Sequence, residues 1–457
     1  MEWHGSSFRD PSGHIFTENG ELRRSVGHSY AEHYALLMSS GLYDDLVTRG
    51  HLVPHEELPE SVVGGESFHR VLRPERIPFI SYPWEWSFSQ LRDAALLTLR
   101  VAQIALEHGM VLKDASAFNV QFVGSRPVFI DTLSFETYRP GQPWVAYRQF
   151  CQHFLAPLEL YARVDPSLSR LLKTDLDGVS LDLASRLLPK STMLKPSLAL
   201  HVHAHARAQS KYSDSQGSTG PAKVSKRSSL ALLDSLRTAV KGCTWKPRGT
   251  EWGDYYDKTN YVDDAMTSKL ETVGRFLART SPDTVWDLGA NTGRFSRLAS
   301  EQGAYTISFD IDPVAIENSY QQARSTKDPK LLPLLMDLMN PTPSLGWNLQ
   351  ERDSLLGRGK PDTTLALALI HHLAIGQNVP LGRVASFFAE LGPWLIIEFV
   401  PKSDTQVKRL LASRRDIFVD YDRPGFERAF STYFDVEETS EVRDSERVLY
   451  LMRRKRA

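Results

Sequence analysis

The stretch TVWDLGANTGRFSRLA, residues 284–299, decides the fold of the C-terminal half of the chain. An apolar run ends at Asp287, glycines follow at Gly289 and Gly293, and a helix is predicted from about Arg294. Glycine lets the backbone turn sharply and approach a ligand, and the first N–H groups of a helix have no partner inside it. The pattern therefore predicts a strand, a tight turn and a helix N-terminus that can hold a carboxylate.

The same pattern continues on both sides of this stretch. Four apolar runs, TVWDL, YTISFD, TLALALI and WLIIEFV, alternate with helical stretches. Such alternation is typical of a parallel sheet covered by helices on both faces. The last two runs, YFDVEETSEV and ERVLYLMRR, lie too close together for a helical crossover, so they are predicted to pair antiparallel. The predicted fold class is α/β, with the parallel sheet closed by an antiparallel hairpin.

A second acid follows the next apolar run, YTISFDIDP at residues 305–313. Asp310 lies about 20 residues after Gly289, the spacing expected for a carboxylate that accepts hydrogen bonds from the two hydroxyls of a ribose. Asp312 is the second candidate, and alternation along the strand leaves Ile311 between them, where it can pack against adenine. Capping of the following helix by these acids is the alternative.

Residues 284–299 resemble motif I of class I S-adenosylmethionine-dependent methyltransferases, D-x-G-x-x-x-G. The resemblance implies that Asp287 lies near the methionine part of the cofactor and that Gly289, Asn291 and Gly293 form the cofactor turn. Asn291 stands where a middle glycine is usual. The implied architecture is a seven-stranded, Rossmann-like methyltransferase sheet. NAD would be expected with the fuller G-x-G-x-x-G fingerprint, which the sequence lacks.

Two further cofactor contacts are predicted from neighbouring segments. Asp337, in LLPLLMDLMNP, matches the position where these enzymes commonly hold the adenine amino group; a turn residue is the alternative, since Pro333 interrupts the predicted strand. The upstream segment WGDYYDKTNYVDDAMTSK is rich in Trp and Tyr, and an aromatic face beside a sulfonium gains cation–π stabilisation. Tyr261 is the predicted lid residue, with a helix that packs on the sheet as the alternative.

The predicted acceptor side follows the apolar run TLALALI, in LALALIHHLAIGQNVPL. This run leads into His371 and His372 at the carboxyl edge, where open α/β sheets bind ligands. One of the two histidines is predicted to orient the acceptor or to remove a proton from an acceptor alcohol, amine or phenol. Glu398, in the run WLIIEFV, is a further catalytic candidate. The alternatives are a structural hydrogen bond for the histidines and the anchoring of a loop for Glu398.

The N-terminal half carries a different pattern, in MVLKDASAFNVQFVGSRPVFIDTLSFE at residues 110–136. Asp114 and Asn119 are five residues apart, and Asp131 follows a short predicted hairpin. This resembles the catalytic loop and metal-binding strand of kinase-like phosphotransferases. The resemblance implies an α+β module in which Asp114 receives a substrate proton while Asn119 and Asp131 hold magnesium.

The predicted kinase-like module is degenerate. The sequence has no glycine-rich loop, and Arg23 and Arg24 stand where a strand lysine is expected. Three roles remain open: phosphoryl transfer from a Mg-nucleotide, binding of a nucleotide or of the methyl acceptor, and a scaffold.

Three segments are predicted along the chain: a kinase-like α+β module at 1–206, a flexible basic linker and connecting helix at 207–249, and a methyltransferase domain at 250–457. The linker begins with RAQSKYSDSQGSTGPAKVSKRSS, which is rich in Ser, Gly and Lys and poor in large apolar residues. A solvated tether is favoured over an RNA contact, because Tyr212 is the only aromatic residue there.

Composition narrows the class of protein. A net charge of −1 gives no general attraction for nucleic acid or an anionic membrane. Cys151 and Cys243 are too few and too far apart for a disulfide framework, and with no signal-peptide pattern the expected location is the cytoplasm. His201, His203 and His205 would share one face if extended, but a polar strand or tail is favoured over a metal site because no carboxylate or cysteine is near.

Passages from both halves, including FISYPWEWSFSQLRDAALLTL, LKDASAFNVQF, FIDTLSFE and LALALIHHLAIG, resemble a bacterial group of nodulation-related methyltransferases. The resemblance implies methyl transfer from S-adenosylmethionine and leaves the acceptor open. A small metabolite or a protein side chain is the predicted acceptor, nucleic acid is less favoured, and no membrane partner is expected. The alternative is a Mg-nucleotide-dependent phosphotransferase or binding module with a dormant methyltransferase half.

Overall fold

A computed structural model describes residues 2–59, 62–63, 65–204, 224–247, 263–412 and 414–456. The chain divides into two compact units: unit 1 comprises Met1–Pro247 and Pro343–Asp353, and unit 2 comprises Arg248–Thr342 and Ser354–Ala457. The predicted lid residue Tyr261 and most of the predicted tether lie outside the described residues. Within the described ranges, no helix is both long enough and apolar enough to cross a bilayer.

The strands, in chain order, are β1 (Glu2–Trp3), β2 (Ile15–Glu18), β3 (Glu21–Val26), β4 (His55–Leu58), β5 (Val62–Val63), β6 (Glu66–Ser67), β7 (Arg70–Pro74), β8 (Met110–Leu112), β9 (Val120–Val123), β10 (Arg126–Phe129), β11 (Phe135–Thr137), β12 (Thr284–Leu288), β13 (Tyr305–Asp310), β14 (Leu331–Leu335), β15 (Thr363–Ala366), β16 (Trp394–Phe399), β17 (Phe434–Glu441) and β18 (Val448–Arg454). The α-helices are α1 (Ala31–Ser39), α2 (Leu42–Thr48), α3 (Phe88–Glu107), α4 (Tyr147–Phe150), α5 (Ala156–Arg163), α6 (Leu171–Thr174), α7 (Leu181–Leu187), α8 (Pro196–Leu198), α9 (Lys226–Gly242), α10 (Asp263–Thr280), α11 (Arg294–Glu301), α12 (Pro313–Thr326), α13 (Leu381–Leu391), α14 (Thr405–Leu411) and α15 (Arg423–Ser431).

Unit 2 is built on a seven-stranded sheet with the order β14-β13-β12-β15-β16-β18-β17. The first five strands are parallel, and β18 pairs antiparallel with both β16 and β17. This is the seven-stranded methyltransferase variant of the doubly wound fold, and it confirms the predicted fold class for this part of the chain. The central strand β12 is buried from Val285 to Leu288, as expected when helices cover both faces of a parallel sheet.

Two strands of this sheet have local features that bear on their predictions. Pro333 stays inside β14, because β14 is an edge strand and proline is tolerated where a ladder N–H is not required. The predicted run TLALALI is a strand only over Thr363–Ala366. Two residues further on, Ala368 adopts φ +50°, which a strand does not accommodate.

Unit 1 contains a five-stranded antiparallel sheet with the order β1-β2-β3-β7-β4, and the two-stranded pairs β8–β11 and β9–β10. Its longest helix, α3, begins with a capping box in which Ser87 accepts a hydrogen bond from the backbone N–H of Gln90 and the Gln90 side chain binds back to Ser87. The α+β character matches the prediction for this half. Its kinase-like assignment stays a prediction.

The segment Pro343–Asp353 belongs to unit 1 although it follows β14 of unit 2 in the chain. The backbone N–H of Asp353 donates to the Tyr82 hydroxyl over 2.7 Å. The guanidinium of Arg352 lies 4.1 Å from the centre of the Phe118 ring, close enough for a cation–π contact. Unit 1 is therefore assembled from two separate stretches of sequence.

The histidines before the predicted linker do not form an extended segment. A π-helical turn spans Ala199–Ala204, and it buries His201 and His203. The ring of His201 bonds to the Tyr147 and Ser235 hydroxyls. The ring of His203 bonds to two other hydroxyls. A polar strand was therefore the wrong expectation for these two residues, whose rings serve packing, and His205 lies outside the described residues.

Candidate functional site

A cavity of about 440 Å³ opens at the carboxyl ends of β12, β13 and β15 in unit 2. The strand order reverses here, since β13 lies on one side of β12 and β15 on the other. Open α/β sheets bind ligands at such a switch point. The cavity brings together six residues predicted for the cofactor: Asp287, Gly289, Asn291, Asp310, Ile311 and Asp337.

The glycine turn has the backbone geometry that its sequence predicts. Gly289 and Gly293 both have φ +76°, in the left-handed region that side chains disfavour. A Cβ atom on Gly293 would lie 2.6 Å from the Ser319 hydroxyl, so the position has no room for a side chain. Asn291 has φ +52°, a conformation that asparagine tolerates better than most residues. This explains why asparagine can replace the middle glycine of the motif.

Asp310 and Asp312 have different roles. The backbone N–H of Asn291 donates to Oδ2 of Asp310 over 2.7 Å, and that of Asp312 donates to Oδ1 over 2.9 Å. The carboxylate of Asp312 instead accepts from the backbone N–H of Val314 and caps α12. Helix capping is therefore the role of Asp312, while Asp310 lines the cavity.

The two strand-end acids that line the cavity have carboxyl pKa values above their ordinary range. Burial raises the pKa of Asp287 to about 6, although the Ser296 hydroxyl donates to its carboxylate over 2.6 Å. Burial also raises the pKa of Asp310 to about 6. Repulsion between the two carboxylates contributes to the shift of Asp287. A ligand that offers a cation or hydroxyl donors would stabilise the ionised forms of both groups.

The predicted adenine contacts lie on another wall of the cavity. Ile311 is 54% exposed, which is high for an isoleucine beside a buried strand. Asp337 follows β14 by two residues, lines the cavity, and accepts a hydrogen bond from the backbone N–H of Met339 over 2.9 Å. Both interpretations of Asp337 are therefore compatible with its position, because it forms a turn and also reaches the cavity.

Only one of the adjacent histidines lines the cavity. His372 does so, and it begins a π-helical turn that ends at Gly376. Burial, with a further contribution from Arg447, lowers its pKa to about 4, so its imidazole is neutral at pH 7. His371 is fully buried, and neither ring nitrogen has a hydrogen-bond partner among the described residues. Burial places its pKa well below the ordinary value.

Glu398 does not open onto the cavity, contrary to its predicted place at the acceptor edge. It is fully buried in β16, where its Oε2 lies 2.6 Å from Nζ of Lys269 and its Oε1 lies 3.6 Å from Nη1 of Arg447. Arg447 in turn pairs with Asp404 over 2.8 Å. The carboxylate is thus the centre of a buried charge network.

Lys269 lines the cavity from α10, although it was not among the residues predicted for the site. The signal was available in the helix itself, because the spacing of Met266, Lys269, Val273 and Phe276 places them on one face. The three apolar residues of this set are buried, so the lysine lies within an apolar stripe. A lysine at such a position requires a buried partner, which is a reason to single it out from sequence.

The residues predicted for the kinase-like site are also brought together, in unit 1. The Asn119 side chain bonds to that of Asp114 and donates to the Ser134 hydroxyl over 3.2 Å. Burial raises the pKa of Asp114, and the nearby charge of Asp131 adds to the shift.

Asp131 itself is engaged by protein groups. Nη2 of Arg24 lies 2.7 Å from its Oδ1, and the Ser134 hydroxyl donates to its Oδ2. Arg24 also pairs with Asp10 over 2.8 Å. Within the described ranges, no group of three His, Cys, Asp or Glu side chains is arranged to hold a metal ion. An arginine therefore already provides the positive charge at Asp131.

No family model matches the chain. Solved structures that align with it include the magnesium protoporphyrin IX methyltransferase of Synechocystis PCC 6803 with bound SAH (18% identity, TM-score 0.32, 45% of this chain and 93% of that chain). Others are the N-methyltransferase NodS of Bradyrhizobium japonicum WM9 (11%, 0.31, 42% and 98%) and the bifunctional kinase-methyltransferase WbdD (18%, 0.30, 44% and 42%).

A relative with a curated name matches almost the whole length. Nodulation protein NoeA of Rhizobium meliloti (strain 1021) is 36% identical over 456 residues, which are 98% of this chain and 95% of that protein. Both units fall within the aligned length, so the similarity is not limited to a cofactor domain. The chain belongs to the family of nodulation protein NoeA.

Proposed function

We propose that this protein is an S-adenosylmethionine-dependent methyltransferase whose cofactor lies in the cavity of unit 2. The observation that carries the proposal is the convergence of the left-handed glycine turn and the Asp310 carboxylate on one cavity at the switch point of the sheet. Its volume of about 440 Å³ lies within the range of small-molecule sites.

Each wall of the cavity fits one part of the cofactor. Asp310 accepts hydrogen bonds from the two ribose hydroxyls, for which an ionised carboxylate at a strand end is suited. Ile311 packs against adenine, and Asp337 accepts from the adenine amino group. Asp287 stabilises the ammonium group of the methionine part, because a buried carboxylate gains most from a positive partner.

S-adenosylmethionine supplies a methyl carbon that is activated by its bond to a sulfonium. The chain has to orient the acceptor and exclude water. The apolar side chains of Leu369, Leu373 and Leu410 line the cavity and keep water out. His372 has a neutral imidazole at pH 7, so it can accept a proton from the acceptor atom. His371 supports this turn from the interior and has no access to the cavity lining.

The acceptor that we propose is a small metabolite or a protein side chain. The net charge of −1 does not favour a broad nucleic-acid surface. The contacts of Asp131 do not favour a Mg-nucleotide phosphotransferase, because Arg24 and Ser134 already engage the oxygens of its carboxylate.

Calorimetric titration with S-adenosylhomocysteine tests the cofactor site. We expect the wild type to bind and Asp310→Ala to bind at least 100-fold more weakly, since it loses two hydrogen bonds to a charged acceptor. Asp312→Ala is the matched control: it removes a helix cap two residues away and should leave affinity within a few-fold. Absence of binding by the wild type, or equal binding by Asp310→Ala, would refute the proposal.

Incubation with an isotopically labelled methyl donor and fractionated cell extract tests the acceptor class. Label is expected in protein or in small molecules, and it should be lost in the Asp310→Ala variant. Label confined to RNA would contradict the proposed acceptor class, but it would still support methyltransferase activity.

A further inference from the structure

Lys269 is the only lysine or arginine among the described residues that line the cavity of unit 2. Its side chain is 4% exposed, and its ammonium lies 2.6 Å from Glu398 and 4.9 Å from the centre of the Phe295 ring. Phe295 and Asp287 line the same cavity. One buried cation is therefore held beside a site whose other charged groups are carboxylates.

The free energy needed to bury the Lys269–Glu398 pair indicates that the pair has a role beyond stabilising the fold. Taking an ammonium and a carboxylate out of water costs about as much as their attraction returns, so a buried pair contributes little net stability. Burial lowers the pKa of Lys269, and the Glu398 carboxylate opposes that shift. Arg447 approaches the other oxygen of Glu398, so this carboxylate is shared between two cations. The Asp287 carboxylate also acts on the Lys269 ammonium and opposes the lowering of its pKa, so this cation lies between two carboxylates at the cavity.

The methionine part of the proposed cofactor carries both an ammonium and a carboxylate. A cavity that recognises it needs a negative and a positive group, and burying either ligand charge without a partner would be costly. Asp287 provides the negative group, and Lys269 is the described lining residue that can provide the positive one. We infer that Lys269 binds the carboxylate of the cofactor and that Glu398 is a positioning residue that holds its ammonium at the cavity wall. This inference rests on the proposed function.

The inference predicts selectivity for one functional group of the ligand. S-adenosylmethionine and decarboxylated S-adenosylmethionine differ only in that carboxylate. We expect the wild type to bind the carboxylate form roughly 10- to 100-fold more tightly, the usual value of a charge-assisted hydrogen bond. Lys269→Met has nearly the same length and no charge, and it should lose this preference while its affinity for the decarboxylated form stays within a few-fold.

The affinity for the decarboxylated form also reports whether the cavity is intact. Lys269→Met leaves the buried Glu398 without one of its cations, so the double variant Lys269→Met/Glu398→Gln is measured beside it. Glu398→Gln alone should keep part of the preference, because the ammonium remains but is less firmly placed. A double variant that binds the decarboxylated form normally and still prefers the carboxylate form would overturn the inference. A wild type that binds neither compound would refute the proposed function instead.

Discussion

Each unit brings together carboxylates at strand ends or in loops, and the two units differ in the groups that bind these carboxylates. In unit 1 the Asp131 carboxylate is bonded to Arg24 and to the Ser134 hydroxyl. In unit 2 a hydroxyl donates to Asp287 and backbone N–H groups donate to Asp310, the Lys269 ammonium lowers the pKa of Asp287 only in part, and burial raises both pKa values to about 6. The first arrangement is complete within the protein, whereas the second gains free energy when a ligand supplies hydrogen-bond donors or a further positive charge.

The difference shows how similar residue types acquire different roles. A carboxylate paired with a buried arginine adds little net stability, but removal of either partner destabilises the fold because a buried charge is left without its counterpart. A carboxylate with a raised pKa in a cavity costs the empty fold free energy that a ligand can recover. The following predictions test this contrast, from the largest expected effect to the smallest.

The largest effect is expected from Arg24→Met in unit 1. Its side chain is 10% exposed, and its loss leaves Asp131 and Asp10 without their shared cation. Removal of one partner from a buried pair destabilises a protein by about 3 to 5 kcal/mol. The free energy of unfolding of unit 1 can be followed by hydrogen exchange of β3 peptides in urea. Cofactor affinity should not change.

Arg23→Met is the matched control on the same strand. Arg23 pairs with Glu18 and Glu21, which are 31% and 46% exposed, so its loss should cost about 1 kcal/mol or less. Equal costs for the two arginines would remove the contrast. A nucleotide site would be favoured if Mg-ATP stabilised the wild type and Asp131→Asn abolished that effect. Such a result would contradict the view that Arg24 and Ser134 already satisfy the Asp131 carboxylate.

The sheet of unit 2 could be predicted from the sequence because local patterns determine its strands and turns. Apolar runs, glycines and strand-end acids occur at spacings that the parallel sheet requires, and Asp287, Gly289 and Asp310 reach one cavity as expected. The role of Glu398 could not be predicted, because its partners Lys269 and Arg447 are 129 and 49 residues away in the chain. Ion pairs between distant elements leave no periodic signal in a single sequence.

A second limit on prediction from sequence concerns residues of the same type that differ in their burial. His371 and His372 are adjacent and chemically identical, and only the backbone turn decides which one lines the cavity. In unit 1, the pattern Asp114, Asn119 and Asp131 predicted a cluster, and the cluster is present. The pairing of Arg24 with Asp131 depends on a strand that is far away in the sequence, so the pattern of the three residues does not indicate it.

An intermediate effect is expected for His372→Gln. Loss of a general base lowers turnover by roughly 100-fold or more, and affinity for S-adenosylhomocysteine should stay within a few-fold. Turnover is measured as labelled methyl transfer to the fraction that accepts label from the wild type. His371→Gln is the control, since this residue does not line the cavity and should change stability more than turnover. Normal turnover by His372→Gln would make this histidine structural.

The smallest effect is a pH dependence of cofactor binding. The pKa values of Asp287 and Asp310 are raised to about 6 in the ligand-free protein, whereas binding requires their ionised forms. Affinity should be constant above pH 7 and fall below pH 6 by about tenfold per pH unit for each of the two carboxyl groups that has to lose a proton. Calorimetry between pH 5 and pH 8 measures this slope. Asp310→Asn should bind more weakly with a shallower slope, and an unchanged affinity at pH 5 would contradict the assignment.

The discontinuity of unit 1 has a consequence for synthesis on the ribosome. Chains emerge from the N-terminus at about 5 to 20 residues per second, so residue 353 is added roughly 5 to 20 s after residue 247. Until then, Tyr82 and Phe118 lack the backbone and guanidinium contacts that Asp353 and Arg352 provide. The strands β12 to β14 are therefore translated before the N-terminal unit can finish folding, whereas β15 to β18 are translated after its last segment.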